Sequence, residues 1–452
     1  MADRNPRASA KSKGANRYAT PAPLASRYVA LELLAAVSAR GQPFDEAMDS
    51  HTGFTRLSGR DRGFVHNLCA TTLRRLGQID ALIAACVERP LANKADAEIA
   101  KNILRLGICQ LVFLKTPPHA AVDTSVQLAR KRRASAFAGL INAVLRRVGR
   151  EGEEMLGAQD AAQLNTPGWL WESWSETYGT QTCRAIAEAH LGEPPLDLTL
   201  KGEKENWAEQ LDAKELPGGS LRMWPRGPIT ELPGFGEGAW WVQDAAAAYP
   251  ARLLGDVAGK NIVDLCAAPG GKTAQLAAMG ANVTAIDRAA GRLKRLQSNM
   301  ARLGLKVKTE TADGTLWRPG QPVDAVLLDA PCSATGTLRR HPDVAQLKST
   351  ANVADLALLQ ARLLEAAWGM VKPGGLIVYC ACSLQPEEGP QLIERALASG
   401  APIERIPISA HSTGAPVECI NTEGDLRCLP SHMAELGGMD GFFAARLRRK
   451  AE

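Results

Sequence analysis

Apolar residues recur at helical spacing from Leu24 to Arg150. Three groups show the repeat of three and four positions: Val29, Leu33, Leu34 and Val37; Leu68, Thr72, Leu73 and Leu76; and Ile99, Ile103, Leu104 and Ile108. Prolines and glycines that can end helices stand mainly between the repeats: Pro43, Gly77, Pro90, Pro117 and Pro118. The pattern predicts an all-helical domain of about six or seven helices over residues 24–150.

The pattern changes after Gly259, where short apolar strands alternate with helical segments. The predicted strands are Ile262–Ala267, Val283–Asp287, Lys306–Thr311, Val323–Asp329 and Leu376–Cys380. The predicted helices lie near Ala274–Met279, Gly291–Leu303 and Asp355–Val371. This alternation predicts an α/β domain over residues 246–452, with a doubly wound, mainly parallel sheet and helices on both faces. Ligands bind such sheets beyond the carboxyl ends of the strands, so we expect the chemistry there.

The middle of the chain, residues 151–245, has the weakest pattern. It holds seven tryptophans: Trp169, Trp171, Trp174, Trp207, Trp224, Trp240 and Trp241. Indoles among basic residues can stack on RNA bases, but we expect most of these to be buried, because tryptophan is normally buried for its area. Residues 194–200 have the pattern of a turn followed by a strand, which predicts a small α+β linker module over residues 151–245.

The composition is that of a soluble globular protein of about three domains. Of its 452 residues, 45% are apolar and 22% are charged, which excludes wholesale disorder and collagen-like repeats. Ten cysteines are too few for a disulfide scaffold, so we expect free thiols and a reducing, cytoplasmic compartment. No apolar run reaches about 18 residues, so we expect no membrane-spanning helix and no membrane partner. We also expect a monomer.

The net charge is +5, and much of the positive charge lies in two segments. Residues 1–23 hold five basic residues and one acid, which predicts a disordered basic tail that can touch phosphate backbones. A mitochondrial transit peptide is the alternative for this segment. Residues 128–150 hold seven basic residues and no acid, and a solvated helix face is the alternative to an RNA-facing surface there. The candidates for RNA contact are Arg130, Lys131, Arg132, Arg133, Arg146 and Arg147.

A glycine-rich turn joins the first predicted strand of the sheet to a helix, and such turns let a ligand approach the backbone closely. Its residues are Cys266, Ala267, Ala268, Pro269, Gly270, Gly271 and Lys272. A phosphate-cradling loop would need glycine at position 266, and no Gly-x-Gly-x-x-Gly fingerprint is present, so both nucleotide motifs are excluded. Asp287 suits a ribose diol and Asp313 an adenine amino group, although each alone fits a helix cap equally well. Together they favour a pocket of the S-adenosylmethionine type.

Two further strand ends each carry a thiol. Cys332 follows Asp329, and Cys382 follows the strand that ends at Cys380. Because these segments come from neighbouring central strands, we expect Cys332 and Cys382 to face one substrate. A cysteine is more often a small buried hydrophobe, which is the first alternative. Zinc ligation is the second, but Cys-x-Cys without nearby histidine is a poor zinc signal, so we predict no metal site.

Four segments of the helical region carry a resemblance: Asp61–Phe64, Ile103–Gly107, Gln110–Leu114 and Ile141–Arg147. They resemble the NusB-type helical RNA-binding domain, especially the copy that is fused to a ribosomal RNA methyltransferase. The asparagine within the otherwise apolar run 141–145 is the least generic feature. The resemblance implies a NusB-like RNA-binding domain over residues 24–150.

The catalytic half carries four further motifs: Asp264–Thr273, Asp329–Gly336 with Arg339–Asp343, Cys382–Leu384, and Gly438–Phe443. With the helical front end they make the chain similar, over about residues 24–449, to the RsmB/Sun (Fmu) family of 16S ribosomal RNA cytosine-C5 methyltransferases. The resemblance implies a Rossmann-like class I S-adenosylmethionine-dependent methyltransferase domain over residues 246–452 and ribosomal RNA as the partner. It also implies a substrate-guiding role for residues 151–245, although Lys201 and Gly202 stand where relatives carry an arginine.

The resemblance assigns roles to four side chains. Cys382 is the implied nucleophile that adds to cytosine C6, because C5 of cytosine is itself a poor nucleophile. Asp329 in its protonated form is expected to hydrogen-bond N3 of the base, and Lys272 to contact the base or the cofactor. Cys332 is expected to assist the release of the Cys382 thiolate.

The implied cofactor pocket consists of residues 266–272, Asp287, Asp313 and Asp329. The chain departs from its relatives at Ala381, where threonine is common, and in the turn 386–390 after the two glutamates. Methylation of another RNA, such as transfer RNA, is an alternative. Methylation of DNA cytosine is another, and there Cys332 would be the nucleophile. A non-catalytic ribosome-assembly factor that uses the helical domain alone is the alternative outside enzymes.

Overall fold

The computed structural model describes residues 22–91, 94–202, 206–224 and 227–451. Within these, the chain divides into two compact units. One is formed by residues 22–36, 45–72 and 82–153, and the other by residues 37–44, 73–81 and 154–451. The predicted basic tail falls almost wholly outside the described residues, because the first helix begins at Ala22. It stays a prediction.

The N-terminal part of the chain is helical, as predicted. Its helices are α1 (Ala22–Arg40), α2 (Phe44–Ser50), α3 (Thr52–Thr55), α4 (Gly59–Arg74), α5 (Leu76–Cys86), α6 (Ala95–Ile108), α7 (Pro118–Lys131) and α8 (Ala138–Gly157). These are eight helices over residues 22–91 and 94–157, where six or seven were expected. The excess arises because α2 and α3 have only 7 and 4 residues, too few to show a helical repeat.

Three of these helices approach one another around Gly107. A Cβ atom at this position of α6 would lie 2.8 Å from the Leu145 side chain of α8 and 3.0 Å from the Ser125 hydroxyl of α7. Leu145, Ser125 and Gly107 are all buried. Only glycine permits this approach in a close-packed interior, which explains a glycine inside a helix where it costs stability.

The middle of the chain is a small α+β region, as predicted. Its elements are α9 (Ala161–Asn165), α10 (Gly168–Tyr178), α11 (Thr180–Leu191), β1 (Leu196–Leu200), α12 (Trp207–Gln210), β2 (Lys214–Glu215), β3 (Leu221–Met223), β4 (Trp240–Val242) and α13 (Ala245–Arg252). The strands form an antiparallel sheet in the order β2-β3-β1-β4. A packing role is confirmed for Trp174, Trp207, Trp240 and Trp241, which are buried, whereas Trp224 is 58% exposed.

The C-terminal half is an α/β sandwich around a large sheet. Its elements are β5 (Asn261–Leu265), α14 (Gly271–Ala278), β6 (Asn282–Asp287), α15 (Ala290–Leu303), β7 (Lys308–Thr311), β8 (Val323–Asp329), α16 (Val344–Leu347), α17 (Thr350–Met370), β9 (Val371–Ala381), α18 (Pro390–Ala398), β10 (Ile403–Arg405), α19 (Ala410–Thr413), β11 (Leu426–Cys428) and β12 (Phe442–Arg449). The sheet order is β10-β12-β9-β8-β5-β6-β7, and β11 pairs with β12.

The five predicted strands are confirmed as the parallel part of this sheet, from β5 to β9. The sheet as a whole is mixed, because β12 runs antiparallel between β9 and β10. The sequence pattern missed β10 and β11, which have only three residues each, and it missed β12. The expected mainly parallel sheet therefore has an antiparallel edge.

Both faces of the central parallel strands β5 and β8 are buried, as their continuous apolar runs require, whereas β7 at the edge is exposed. In β5, Ile262 packs in one core with Leu276 of α14. The next residue, Val263, packs in a second core with Leu363 of α17 on the opposite face. This alternation holds the strands between two helical layers and leaves only their ends open to ligands.

Three general features bear on function. No helix in the described parts of the chain is both long and apolar enough to span a membrane. Within the same ranges, His, Cys, Asp and Glu side chains do not gather in threes in a way that would hold a metal ion. All ten cysteines are free thiols.

Candidate active site

The carboxyl ends of β5, β8 and β9 bring Lys272, Asp329 and Cys382 together in one cleft, whereas Asp287 and Asp313 lie at the ends of β6 and β7 and do not line it. The turn 266–270 follows β5, Asp329 ends β8, and Cys382 follows β9. These strands are direct neighbours, since β8 pairs with β5 on one side and with β9 on the other. The strand order reverses between β5 and β8, which is where sheets of this kind bind their ligands.

The turn after β5 is fixed to the end of β6. Its backbone takes left-handed conformations at Cys266 (φ 61°) and Gly270 (φ 102°). The Ala268 N–H donates to Asp287 Oδ2 over 3.2 Å. Arg292, which the sequence had not indicated, lies 3.7 Å from the same carboxylate oxygen and donates to the Ala268 carbonyl. The Asp287 side chain is 2% exposed and also accepts from the Ala289 N–H, so it fixes the turn, and its contact with the cofactor stays a prediction.

Asp313 lies on the exposed surface just beyond the end of β7. Its Oδ1 accepts hydrogen bonds from the backbone N–H and the hydroxyl of Thr315, at 2.9 and 2.7 Å. These bonds hold the pKa of Asp313 below its ordinary value. The side chain thus caps its own turn, and it presents an ionised carboxylate at the strand end where an adenine amino group was expected.

A cleft of about 490 Å³ opens at the ends of β5, β8 and β9. Its chemically active lining consists of Lys272, Asp329, Arg340, His341, Cys382 and Phe442. The backbone of residues 269–271 lines it as well. A volume of this order is typical of sites for small ligands and single bases.

Lys272 and Asp329 form an ion pair on the wall of this cleft. The Lys272 ammonium lies 2.8 Å from Asp329 Oδ2 and 4.8 Å from the ring centre of Phe442. Burial alone lowers the pKa of Lys272, but the Asp329 carboxylate outweighs it, and the pKa lies above its ordinary value. The thiol of Cys380 contacts the other oxygen, Asp329 Oδ1, at 3.6 Å. The Asp329 carboxylate is therefore contacted on both oxygens, by Lys272 and by Cys380.

The two predicted thiols are in direct contact. The Sγ atoms of Cys332 and Cys382 lie 3.4 Å apart, within hydrogen-bond distance for sulfur. Cys382 lines the cleft. Cys332 is not part of the lining, but it contacts Cys382. The hydrogen bond to Cys382 and burial raise the pKa of the Cys332 thiol well above its ordinary value. The Cys332 thiol therefore keeps its proton at neutral pH.

Backbone hydrogen bonds join the loops that contain Cys332 and Cys382 to each other and to the segment before β12. The Gly336 N–H donates to the Cys382 carbonyl over 3.1 Å, and the Gly441 N–H donates to the Gly336 carbonyl over 2.8 Å. A Cβ atom at Gly336 would lie 2.1 Å from the Gly441 carbonyl oxygen. This explains why the motifs 329–336 and 438–443 occur together in the sequence, since each needs the other's glycine.

A buried cluster of charges lies beside the cleft, and the sequence had shown it only as part of a resemblance. Arg339 contacts Asp440 at 3.1 Å and Asp244 at 3.3 Å, and it is 2% exposed. Arg340 contacts the same two carboxylates at 3.1 and 2.6 Å. Although burial opposes it, the two arginines lower the pKa of Asp244 to about 2. Arg340 reaches the cleft lining from this cluster, so the cluster fixes its position.

The structure also shows residues near the thiols that sequence reasoning missed. Glu388 is fully buried and accepts hydrogen bonds from Ser333 and Ser383, which directly follow the two cysteines. The sequence had marked the turn around Glu388 as a departure from relatives, without a role. No pattern of apolar and polar positions reports that a glutamate is buried under two loops.

In the helical unit, α7 and α8 border an open groove of about 750 Å³. Of the predicted RNA-contacting residues, Arg130 and Arg146 line it, together with Arg150 and Asn142. Arg146 also donates to Asn142 Oδ1 over 3.2 Å. The groove therefore gathers basic side chains from both helices on one face, and it includes the asparagine of the resembling run.

The other predicted RNA-contacting residues are placed differently. Arg132 pairs with Glu32, and its guanidinium lies 3.6 Å from the ring centre of Tyr28. Arg147 pairs with Glu151 one helical turn later, at 2.9 Å. Lys131 and Arg133 are exposed. Arg132 is thus partly buried against Glu32 and Tyr28, and the six residues that are grouped in the sequence are not placed alike.

Two family models match the chain. The model described as 16S rRNA methyltransferase RsmB/F matches residues 251–448. The model of the NusB family matches residues 24–150. The order of the two matches is that of a helical domain followed by an α/β methyltransferase domain.

Similar proteins of known name and structure agree with this. The protein PH0851, a solved structure, has a TM-score of 0.74 and covers 95% of this chain and 99% of its own, at 22% identity, which shows the fold. NSun6 from Pyrococcus horikoshii, solved with SFG, has a TM-score of 0.53 at 19% identity and covers 63% of this chain and 99% of its own.

Two similar proteins named ribosomal RNA small subunit methyltransferase B come from Salmonella typhi and Klebsiella pneumoniae. Each is 36% identical to this chain, over 415 and 412 residues respectively. Each alignment covers 87% of this chain and 92% of the relative. At that identity over most of both sequences, the chain belongs to the ribosomal RNA small subunit methyltransferase B family.

Proposed function

We propose that the protein makes 5-methylcytosine in 16S ribosomal RNA, through a covalent adduct between Cys382 and cytosine C6. The contact between the two thiols carries this proposal. Cys382 lines the cleft, whereas Cys332 keeps its proton and contacts Cys382 over 3.4 Å. Addition needs a nucleophile that faces the substrate, and elimination is helped by a protonated thiol that contacts this nucleophile.

The reaction begins with attack by Cys382. Its thiolate adds to C6, the C5=C6 double bond opens, and the electron pair makes C5 a nucleophile. Negative charge spreads onto N3 and the base carbonyl during this step. The ion pair of Lys272 and Asp329 supplies the proton for N3. As N3 becomes basic in the adduct, Asp329 relays a proton to it from the Lys272 ammonium across their 2.8 Å bond.

The adduct is resolved by elimination. The proton of C5 passes to a solvent water, and the electron pair of that bond restores C5=C6. The C6–S bond breaks as N3 gives its proton back through Asp329 to Lys272. Cys382 departs as a thiolate, and Cys332 donates a hydrogen bond to it from 3.4 Å. The high pKa of Cys332 keeps this donor protonated through the cycle.

S-adenosylmethionine is the cofactor, and when bound it supplies the methyl group for C5. The residues that would hold it are 266–272, Asp287, Asp313 and Asp329. Their chemistry fits the group, because the turn 266–270 exposes backbone at the strand end and the carboxylates of Asp287 and Asp313 accept from hydroxyl and amino groups. The acidic side chains at neighbouring strand ends support a ligand with a ribose and a base.

The helical unit is proposed to bind ribosomal RNA through the groove between α7 and α8. Arg130, Arg146 and Arg150 supply positive charge for phosphates, and Asn142 supplies a neutral donor and acceptor. We assign the RNA-binding domain to residues 24–150, a linking module to residues 151–245, and the methyltransferase domain to residues 246–452.

Single-cysteine variants test the mechanism on ribosomal RNA or small-subunit particles from a strain that lacks the gene. Cys382→Ala is expected to abolish methylation and adduct formation. Cys332→Ala is expected to accumulate a protein–RNA adduct that survives denaturing electrophoresis, because release is blocked. Bisulfite sequencing of the RNA locates the product cytosine. Full activity of Cys382→Ala, or an adduct that forms through Cys332, would overturn the proposal and favour the mechanism of DNA cytosine enzymes.

A further inference from the structure

One buried carboxylate bonds both residues that follow the reactive thiols. Glu388 is 0% exposed and lies in the short helical turn Pro386–Glu388 after β9. Its Oε1 accepts from the Ser333 N–H over 2.8 Å. Its Oε2 accepts from the Ser333 hydroxyl and, over 2.5 Å, from the Ser383 hydroxyl. Ser333 directly follows Cys332, and Ser383 directly follows Cys382.

The carboxylate is itself held in place. Gln360 of α17 donates from Nε2 to Glu388 Oε1 over 3.1 Å and to the Pro331 carbonyl over 2.9 Å. The Tyr379 hydroxyl donates to the backbone carbonyl of Glu388 over 2.6 Å. A buried carboxylate is costly unless donors surround it, and here four donors converge on its two oxygens.

The hydroxyls are shared between the loops as well as with the carboxylate. The Oγ atoms of Ser333 and Ser383 lie 3.1 Å apart, and Thr335 Oγ1 lies 3.3 Å from that of Ser383. The Leu384 N–H donates to Thr335 Oγ1 over 3.0 Å. The two loops thus meet at a hydroxyl cluster, and Glu388 is the acceptor on which that cluster depends, because a hydroxyl pair alone leaves one proton without a fixed acceptor.

We propose that Glu388 is a positioning residue for methyl transfer: by binding Ser333 and Ser383 together, it holds the Cys332 thiol in hydrogen-bond contact with Cys382. The proposal rests on the proposed function, in which that contact releases the product. Glu388 touches neither thiol, so its effect passes through the adjacent serines. A displacement of about 1 Å between reacting groups is enough to cost on the order of 100-fold in rate.

The main variant is Glu388→Gln, which keeps the size of the side chain. Its amide nitrogen is a donor where an acceptor is needed, so it cannot serve the Ser333 N–H and both hydroxyls at once. We expect turnover to fall by about 100-fold. We also expect the protein–RNA adduct to accumulate as in Cys332→Ala, because attack by Cys382 survives while release is impaired. The matched control is Glu394→Gln on α18, where the exposed glutamate pairs with Arg405 at the surface.

The adduct separates positioning from simple support of the fold. A general loss of structure lowers the rates of attack and release together and yields no adduct. Absence of the adduct in Glu388→Gln would therefore overturn the proposal, whether or not the melting temperature is reduced. Wild-type turnover in Glu388→Gln would also overturn it. If Glu388→Gln does not fold, Ser383→Ala, which removes one bond to the carboxylate, is measured in the same way. The parallel Cys332→Ala sample is the reference, because absence of an adduct there rejects the proposed function and not the role of Glu388.

Discussion

The Lys272 ammonium lies 2.8 Å from Asp329 Oδ2, and both groups line the cleft that Cys382 faces. The same separation occurs in a second pair, Lys372 and Asp324. The two carboxylates are similarly exposed, at 34% for Asp329 and 30% for Asp324, but the Lys272 side chain is 9% exposed and that of Lys372 is 51% exposed. The pair with the exposed lysine is expected to contribute little to stability.

This pairing gives the first prediction. Asp329→Asn removes the proposed donor to N3, so we expect the methylation rate to fall by about 10²- to 10⁴-fold, the usual range for a lost general acid. Lys372→Met is the control, and its rate is expected to equal that of the wild type. Single-turnover methylation with labelled cofactor measures both. Equal rates for Asp329→Asn and the wild type would remove Asp329 from the mechanism.

The contact between the thiols predicts sensitivity to oxidation. Diamide is expected to couple Cys332 and Cys382, since their sulfurs need to close from 3.4 Å to about 2 Å. Each thiol loses a proton, and the two electrons reduce diamide to its hydrazine. Thiol titration with a chromogenic disulfide would then show two fewer thiols, with activity lost and dithiothreitol restoring both. In Cys332→Ser the same treatment should leave the count unchanged.

The groove between α7 and α8 predicts a difference between two adjacent arginines. Arg146 lines the groove, whereas Arg147 is paired with Glu151. Arg146→Ala is expected to weaken RNA binding and to reduce the slope of log K against log salt by about 1. Arg147→Ala should change the slope much less. Binding titrations over a range of salt concentrations measure this, and equal slopes for the two variants would contradict the assignment of the groove.

The buried charge cluster predicts a large loss of stability. Arg339→Met leaves Asp440 with fewer partners in a buried site, and breaking a buried ion pair in this way costs about 3–5 kcal/mol. Arg448→Met breaks an exposed pair with Glu404 and is expected to cost less than about 1 kcal/mol. Urea unfolding of both variants gives the comparison. Similar losses would mean that the cluster is not a stabilising element.

His190 predicts a specific acid sensitivity. The ring is buried against Trp174, and neither of its nitrogens has a hydrogen-bond partner among the described residues. Burial, with help from Arg339 and Arg74, lowers the pKa of His190 to about 3. The folded state then binds fewer protons than the unfolded state, so stability rises with pH and is lost as the pH falls below about 6.5.

The expected size of this loss is about 2 kcal/mol between pH 7 and pH 5. His190→Phe keeps a ring in the site and removes the titration, so this part of the pH dependence should disappear. Urea unfolding of the variant and the wild type at both pH values measures it. Parallel pH profiles for the two proteins would show that His190 is not the responsible group.

The sequence was a good guide wherever function follows from position along a strand. Asp287, Asp329 and Cys382 were expected at or just after the ends of parallel strands, and the structure places them there. Arg132 shows the limit, since seven like charges in a segment say nothing about which of them folds inward onto Glu32 and Tyr28.

Other features needed the tertiary structure. Gly77 was expected between helices but lies in the first turn of α5, where a Cβ atom would come within 1.7 Å of the Leu164 carbonyl oxygen. Glycine is needed here because the backbone of Leu164 packs directly against it, and helix propensity along the sequence does not indicate such a contact. The segment around Glu388 has the composition of a surface turn, and the sequence does not distinguish Glu388 from Glu387. Only the structure shows that the Glu388 carboxylate is fully buried under two loops.

Strand β12 lies between β9 and β10, although it follows both in the chain. During synthesis, β9 is therefore made well before its antiparallel neighbour. The Gly336 carbonyl cannot accept its hydrogen bond from Gly441 until that part of the chain has been made. A nascent chain that has not yet exposed residues 441–449 already contains Cys332 and Cys382 but lacks the backbone contact that joins their loops to the segment before β12. The arrangement of the two thiols is therefore completed only when the last residues of the chain have been made.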